Sequence, residues 1–233
     1  MIDEEVSTMN RHSFDRPLRI VATVGPLLFF AVASVEGFVR AGYDPVAHPI
    51  SALALGPRGW IQQANFALLA ISLAAFGLTM RTRLRDGVAS LVGPAIFGLM
   101  TIGITIAGIC TMDPPGASPT AIGRLHTFAG FLFFPWMPVV LLLVARRLRR
   151  DRRLRPYFGY TLATALFCLA TMVYFFASVG VPGVSPRLSN LAGLVQRLQL
   201  LPFLTWMAIF AGRISAETRV TAPAVPQADG DHP

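Results

Sequence analysis

The chain contains no lysine, and only 14% of its 233 residues are charged. Soluble domains carry about 25% charged residues, so an ordinary water-exposed globule is excluded. Cysteine is nearly absent as well. Cys110 and Cys168 fall at different expected depths of their apolar runs, farther apart than a disulfide spans, and read as small packing residues. No HxxxH, HxxE or HExxH spacing occurs, and no G-x-S-x-G elbow surrounds Ser51. Glu36, Asp44, His48, Asp113 and His126 have the mixed N/O chemistry that zinc accepts. Their two histidines nevertheless come from separate loops, so neither a metal nor a cofactor is expected.

What the sequence has in quantity is apolar surface: 54% of residues, with a mean hydropathy of +0.57. Six runs are long enough to cross a hydrocarbon core of roughly 30 Å. They are 19–39, 61–80, 88–110, 125–145, 157–179 and 194–212. Unpaired backbone N–H and C=O groups are not tolerated in lipid, so each run must be helical. The expected fold is an all-α bundle of six transmembrane helices arranged as three outward hairpins. The first run is too long for the apolar part of a cleavable signal. Residues 1–17 and 214–233 are too polar to pack and are expected to be disordered cytoplasmic tails around a membrane domain at 18–213.

With lysine missing, arginine alone carries the positive charge and sets the orientation. RTRLR (81–85) follows the second run, and RRLRRDRRLR (146–155) separates the fourth from the fifth. The opposite loops hold only Arg40, Arg58, Arg124, Arg187 and Arg197. Arginine-rich loops stay inside, which predicts cytoplasmic termini in a plasma membrane. Anionic lipid headgroups are therefore the expected partner of these clusters, not nucleic acid. Oligomeric state is not legible.

The first and third runs share a pattern. VATVGPLLF (21–29) and VASLVGPAIF (88–97) both carry Val-Gly-Pro, and Asp-Pro follows each at Asp44-Pro45 and Asp113-Pro114. His48-Pro49, Ser118-Pro119 and Ser185-Pro186 then read as helix starts. Such spacing fits an internal repeat, or hairpin punctuation arrived at by coincidence. In the first outer loop it predicts a short interfacial helix stopped by Gly56-Pro57, with Trp60 in the aromatic belt. Small residues at Gly93, Gly98, Gly103 and Ala107 predict a central third helix. Gly25-Pro26, Gly93-Pro94, Pro135, Pro138 and Pro202 predict kinks or broken hydrogen bonds inside spans.

Polar variety gathers at the outer ends. Glu36, Asp44, His48, Asp113, His126 and Arg197 are the candidate ligand-binding residues, with Gln62, Gln63, Asn65, Gln196 and Gln199 nearby. Several have an ordinary explanation, whereas capping of the first outer loop leaves Asp44 and His48 unexplained. Glu36 is one turn from Arg40 and can pair with it, while Arg197 can pair with Glu36 or with headgroups. His126 can be a hydrogen-bonded interface residue, and Ser51 can bond within its own turn.

HPISALALGPRGWIQQANF (48–66), GRLHTFAGF (123–131) and GLVQRLQLLPFLTW (193–206) resemble an uncharacterised prokaryotic membrane family, domain of unknown function 998. The resemblance implies a six-helix integral membrane protein without an agreed activity. An arginine-only, alanine-rich chain further suggests a bacterial source. Three functions fit: binding of a small molecule or lipid headgroup in an outward polar cavity, hydrolysis by His48, His126 and Asp113, or transport with Glu36 carrying a proton. A hydrolase needs its His and acid side chains within about 4–6 Å of one another. A transporter needs a polar path through the arginine-rich half.

Overall fold

A computed structural model describes residues 2–84, 87–180 and 190–220. Among them there are helices and no strands, as apolar runs in lipid require. The long elements are α1 (Ile2–Val39), α2 (Gly59–Arg83), α3 (Ala89–Ile109), α4 (Ala121–Phe131), α5 (Trp136–Arg150), α6 (Phe158–Gly180) and α7 (Ala192–Val220). A 3-10 turn at Ile50–Ala54 is the short helix expected in the first hairpin loop. Gly56, with φ +76°, ends it in a conformation that favours glycine.

Six stretches are long and apolar enough to span a membrane, with α4 and α5 together forming the fourth. The first covers Arg16–Val39, and α1 itself begins further back, at Ile2, where composition predicts no structure. Helix α7 likewise runs past residue 213, to Val220. Ser185-Pro186 lies outside the described residues.

The centre of the bundle is not α3. The spans of α2 and α7 are each 61% buried, against 39% for α3. Helix α2 packs against α1, α3 and α7, and the core between them is aromatic. Phe76 meets Phe97 and Trp206, and Trp206 stacks on Phe210 at 5.1 Å between ring centroids. The indole N–H of Trp206 donates to Thr161 Oγ1 at 3.0 Å, so the one polar atom of that ring is satisfied. Small residues on α3 serve close approach instead of centrality. A Cβ on Gly93 would strike Met80 of α2, and one on Gly103 would stand 2.8 Å from the Ala129 carbonyl oxygen of α4. Gly25 of α1 also faces α2, against Ser72, so both Val-Gly-Pro elements press backbone onto the same helix.

Arginines cluster where α2 and α5 end. Arg147 lies 3.6 Å from Asp151, and the Arg213 guanidinium sits over the Tyr157 ring at 5.6 Å. The loops at 40–58 and 110–120 occupy the opposite, loop-rich end of the bundle.

Candidate functional site

At the loop-rich end, two arginines hold the first hairpin loop by its carbonyls. The Arg197 guanidinium on α7 donates to Pro45 O at 2.7 Å, to His48 O at 3.2 Å and to its own Gly193 O at 3.2 Å. Its other nitrogen donates to the Tyr43 hydroxyl at 2.9 Å. Tyr43 in turn offers its hydroxyl proton to the carbonyls of His48 and Pro49, at 2.9 and 3.0 Å. Burial pushes the Tyr43 phenol above its ordinary range although Arg197 pulls it down, so it remains a neutral donor. Arg40 donates to Leu53 O at 2.6 Å and to Leu55 O, covering carbonyls at the end of the 3-10 turn. Helix α7 approaches so closely that a Cβ on Gly193 would overlap the carbonyl oxygens of Pro45 and His48. Leu194 N–H donates to Val46 O at 2.9 Å in the same contact.

Asp44 and His48 close this loop from within. Asp44 Oδ1 accepts the Val46 N–H at 2.8 Å, and His48 Nδ1 accepts the Asp44 N–H at 2.9 Å. These are turn-forming bonds of the kind short polar side chains make. Glu36 pairs with Arg58 at 2.5 Å, not with Arg40 or Arg197. The difference is geometric: Arg40 points to the 3-10 turn, and Arg58 returns across the loop to the buried carboxylate.

Asp113 does a similar job in the second loop. Its two oxygens accept from Thr120 N–H at 3.0 Å and from Thr120 Oγ1 at 2.7 Å. Thr120 then caps α4 by accepting the Gly123 N–H at 3.0 Å, so the N-cap is Thr120 and not Ser118. These bonds favour the charged carboxylate and hold Asp113 below the ordinary range.

His126 differs from the other five candidates. Its Nδ1 lies 2.7 Å from Cys110 O, and a carbonyl can only accept, so Nδ1 carries the proton. In a neutral ring Nε2 is then the acceptor atom, and the Ala107 carbonyl on α3 also lies within the ring's hydrogen-bonding reach. Gln196 accepts the Ile50 N–H on Oε1 at 2.6 Å, which leaves its NH₂ group as the remaining donor. His126, Gln196 and Ser51 all line one cavity.

The cavity lies beside a break in the fourth span. Pro135 and Pro138 have no N–H to continue the helical ladder, and residues 132–135 form turns between α4 and α5. Past the break α5 packs on α6, whereas α4 leans onto α3 at Gly103. The gap left between α4 and α6 has a volume of about 250 Å³. Phe131 stacks on Phe176 at 5.1 Å across it, and Phe134 lies 5.6 Å from Phe175. A smaller chamber of about 30 Å³ continues inward toward Phe29 and Phe66, past the same three polar side chains. A single water needs roughly 10–15 Å³ of such space.

Of the six candidates, only His126 reaches this cavity. Asp44, His48 and Arg197 organise the first loop, Glu36 is ion-paired, and Asp113 fixes the start of α4. His48 and Asp113 thus do not line the cavity that His126 reaches. Among the described residues, no three His, Cys, Asp or Glu side chains come together as a metal would require. The phenylalanine wall was not among the candidates, although FLFFP (131–135) and YFF (174–176) stand out as paired aromatics beside a proline.

Residues 23–213 match the family model described as "Protein of unknown function (DUF998)", and the chain belongs to that family. No curated protein matches, and no solved structure does either.

Proposed function

We propose that this DUF998 protein binds an apolar-chained molecule, drawn from the bilayer, in the cavity between α4 and α6. The observation that carries the reading is a gap lined by four phenylalanines together with Ser51, His126 and Gln196. Ligand sites combine a mostly apolar lining with a few convergent polar groups, in volumes of roughly 300–1,000 Å³. At about 250 Å³ the cavity suits a headgroup or part of a chain, not a whole phospholipid. Arginine at the far end supports a cytoplasmic location for that end in a bacterial plasma membrane, where the clusters meet anionic headgroups. The cavity then belongs to the outer half of the bilayer.

The geometry offers the other two readings less. Hydrolysis by His48, Asp113 and His126 lacks a shared site, since each holds a different piece of backbone. Transport by Glu36 meets an occupied carboxylate, and the core beyond it is packed with Phe76, Phe97, Phe203 and Trp206.

The test is lipid retention. The protein purified in nanodiscs and washed in detergent is expected to keep a stoichiometric lipid or small molecule, read by native mass spectrometry. Phe175→Trp with Gly130→Leu fills the cavity and is expected to abolish that retention while the chain stays folded. Equal retention in the filled variant would refute the assignment.

A further inference from the structure

Building on the binding reading above, we infer that the ligand is an electrically neutral lipid, with a hydroxyl or ester head at Ser51, His126 and Gln196. The polar part of the lining is made of uncharged or neutral-capable groups: the Ser51 hydroxyl, the His126 imidazole and the Gln196 NH₂. A hydroxyl, an imidazole and an amide on one cavity wall match an alcohol or carbonyl. A phosphate needs several donors and, in low dielectric, a cation.

The cations at this end are engaged elsewhere. Arg197 faces three carbonyls and Tyr43, and Arg40 faces Leu53 and Leu55. Arg58 holds Glu36, and Arg124 leans on Pro119 O at 3.4 Å. None of the four lines the cavity. Arg187 lies outside the described residues, and the anionic arm of the experiment below covers it.

The exposed side of the lining points to the bilayer as the source of the ligand. Phe131 lines the cavity and is also 50% exposed, on a flank of α4 that continues through Leu125 and Phe128. Exposed apolar rings on a spanning helix face acyl chains. A lipid therefore enters sideways from the membrane, with its chain along the phenylalanines and its head toward Gln196.

The experiment uses the full chain in nanodiscs with two photoreactive probes, a diacylglycerol and a phosphatidylglycerol of the same chain length. Labelled peptides are mapped by mass spectrometry. Diacylglycerol is expected to label peptides from α4 and α6 and to be displaced by unlabelled diacylglycerol but not by phosphatidylglycerol. Gln196→Leu and Ser51→Ala are each expected to lower labelling about fivefold, the loss expected of a single hydrogen bond. Ser51→Ala preserves the contact between Gln196 and Ile50, so it remains informative if Gln196→Leu misfolds. Equal or stronger labelling of α4 and α6 by phosphatidylglycerol overturns the neutral-head assignment and leaves the binding site standing. Labelling of those peptides by neither probe overturns both.

Discussion

At the 40–58 loop Arg197 directs its guanidinium at two loop carbonyls, Pro45 O and His48 O, and at the Tyr43 hydroxyl. One position earlier on the same helix, Gln196 gives one half of its amide to Ile50 and leaves the other half at the cavity. The two regions are neighbours, yet the loop uses charged groups and the cavity uses neutral ones. Low dielectric explains the contrast. An unpaired charge there is costly, so charged side chains persist where backbone or a counter-ion satisfies them. A neutral amide, hydroxyl or imidazole costs less to leave partly open. Spare hydrogen-bonding capacity, not charge, marks the candidate site.

Substitutions in the loop and at the cavity should therefore separate stability from binding. Arg197→Ala is the most severe: it strips the charge-assisted bonds to Pro45 O and His48 O and the donor to the Tyr43 hydroxyl at once. It is expected to destabilise by about 3–5 kcal/mol, read as thermal unfolding in detergent. Arg197→Lys should recover little of this, because an ammonium lacks the planar fork that reaches several acceptors. Gly103→Val comes next, at about 2–3 kcal/mol, since its side chain collides with the α4 backbone. It should also alter lipid retention by moving α4.

Pro135→Ala combined with Pro138→Ala tests the cavity side. Restored N–H donors should let the fourth span straighten and close the gap toward α6. Unfolding should change by less than about 1 kcal/mol, while retained lipid falls severalfold. Unchanged retention with a straightened span would break the link between the proline break and binding. Arg58→Ala is milder than Arg197→Ala because Arg58 itself is half exposed, although it leaves the buried Glu36 carboxylate without its partner. It should cost about 1–3 kcal/mol and less at high salt.

The smallest effect belongs to Asp113. Its carboxyl is held below its ordinary value near 3.8, so it supports the loop at pH above that value. That support is lost as pH falls through the lower folded value. Asp113→Asn should remove this acid dependence from amide exchange at Thr120 and leave lipid retention intact at neutral pH.

Much of the fold is legible in the chain. Six apolar runs without lysine, flanked by arginine, leave a helical bundle as the one way to pair backbone groups in lipid. Gly56-Pro57 stopping a short turn and Pro135 interrupting the fourth span are local effects, and local chemistry announces them. The site is less legible because polar residues at one end of a bundle look alike in sequence. Asp44 and His48 have no explanation in the sequence, yet each forms a bond within its own loop.

By itself the sequence determined the spans, the arginine asymmetry and the turn points, because these depend on residues close together in the chain. Only tertiary structure decided which polar groups remain available. Arg197 reaches Pro45 from 152 positions away, and Gln196 reaches Ile50 from 146. A hydrogen-bonding group is spare or satisfied only relative to the partners that packing brings to it, and no periodicity records that.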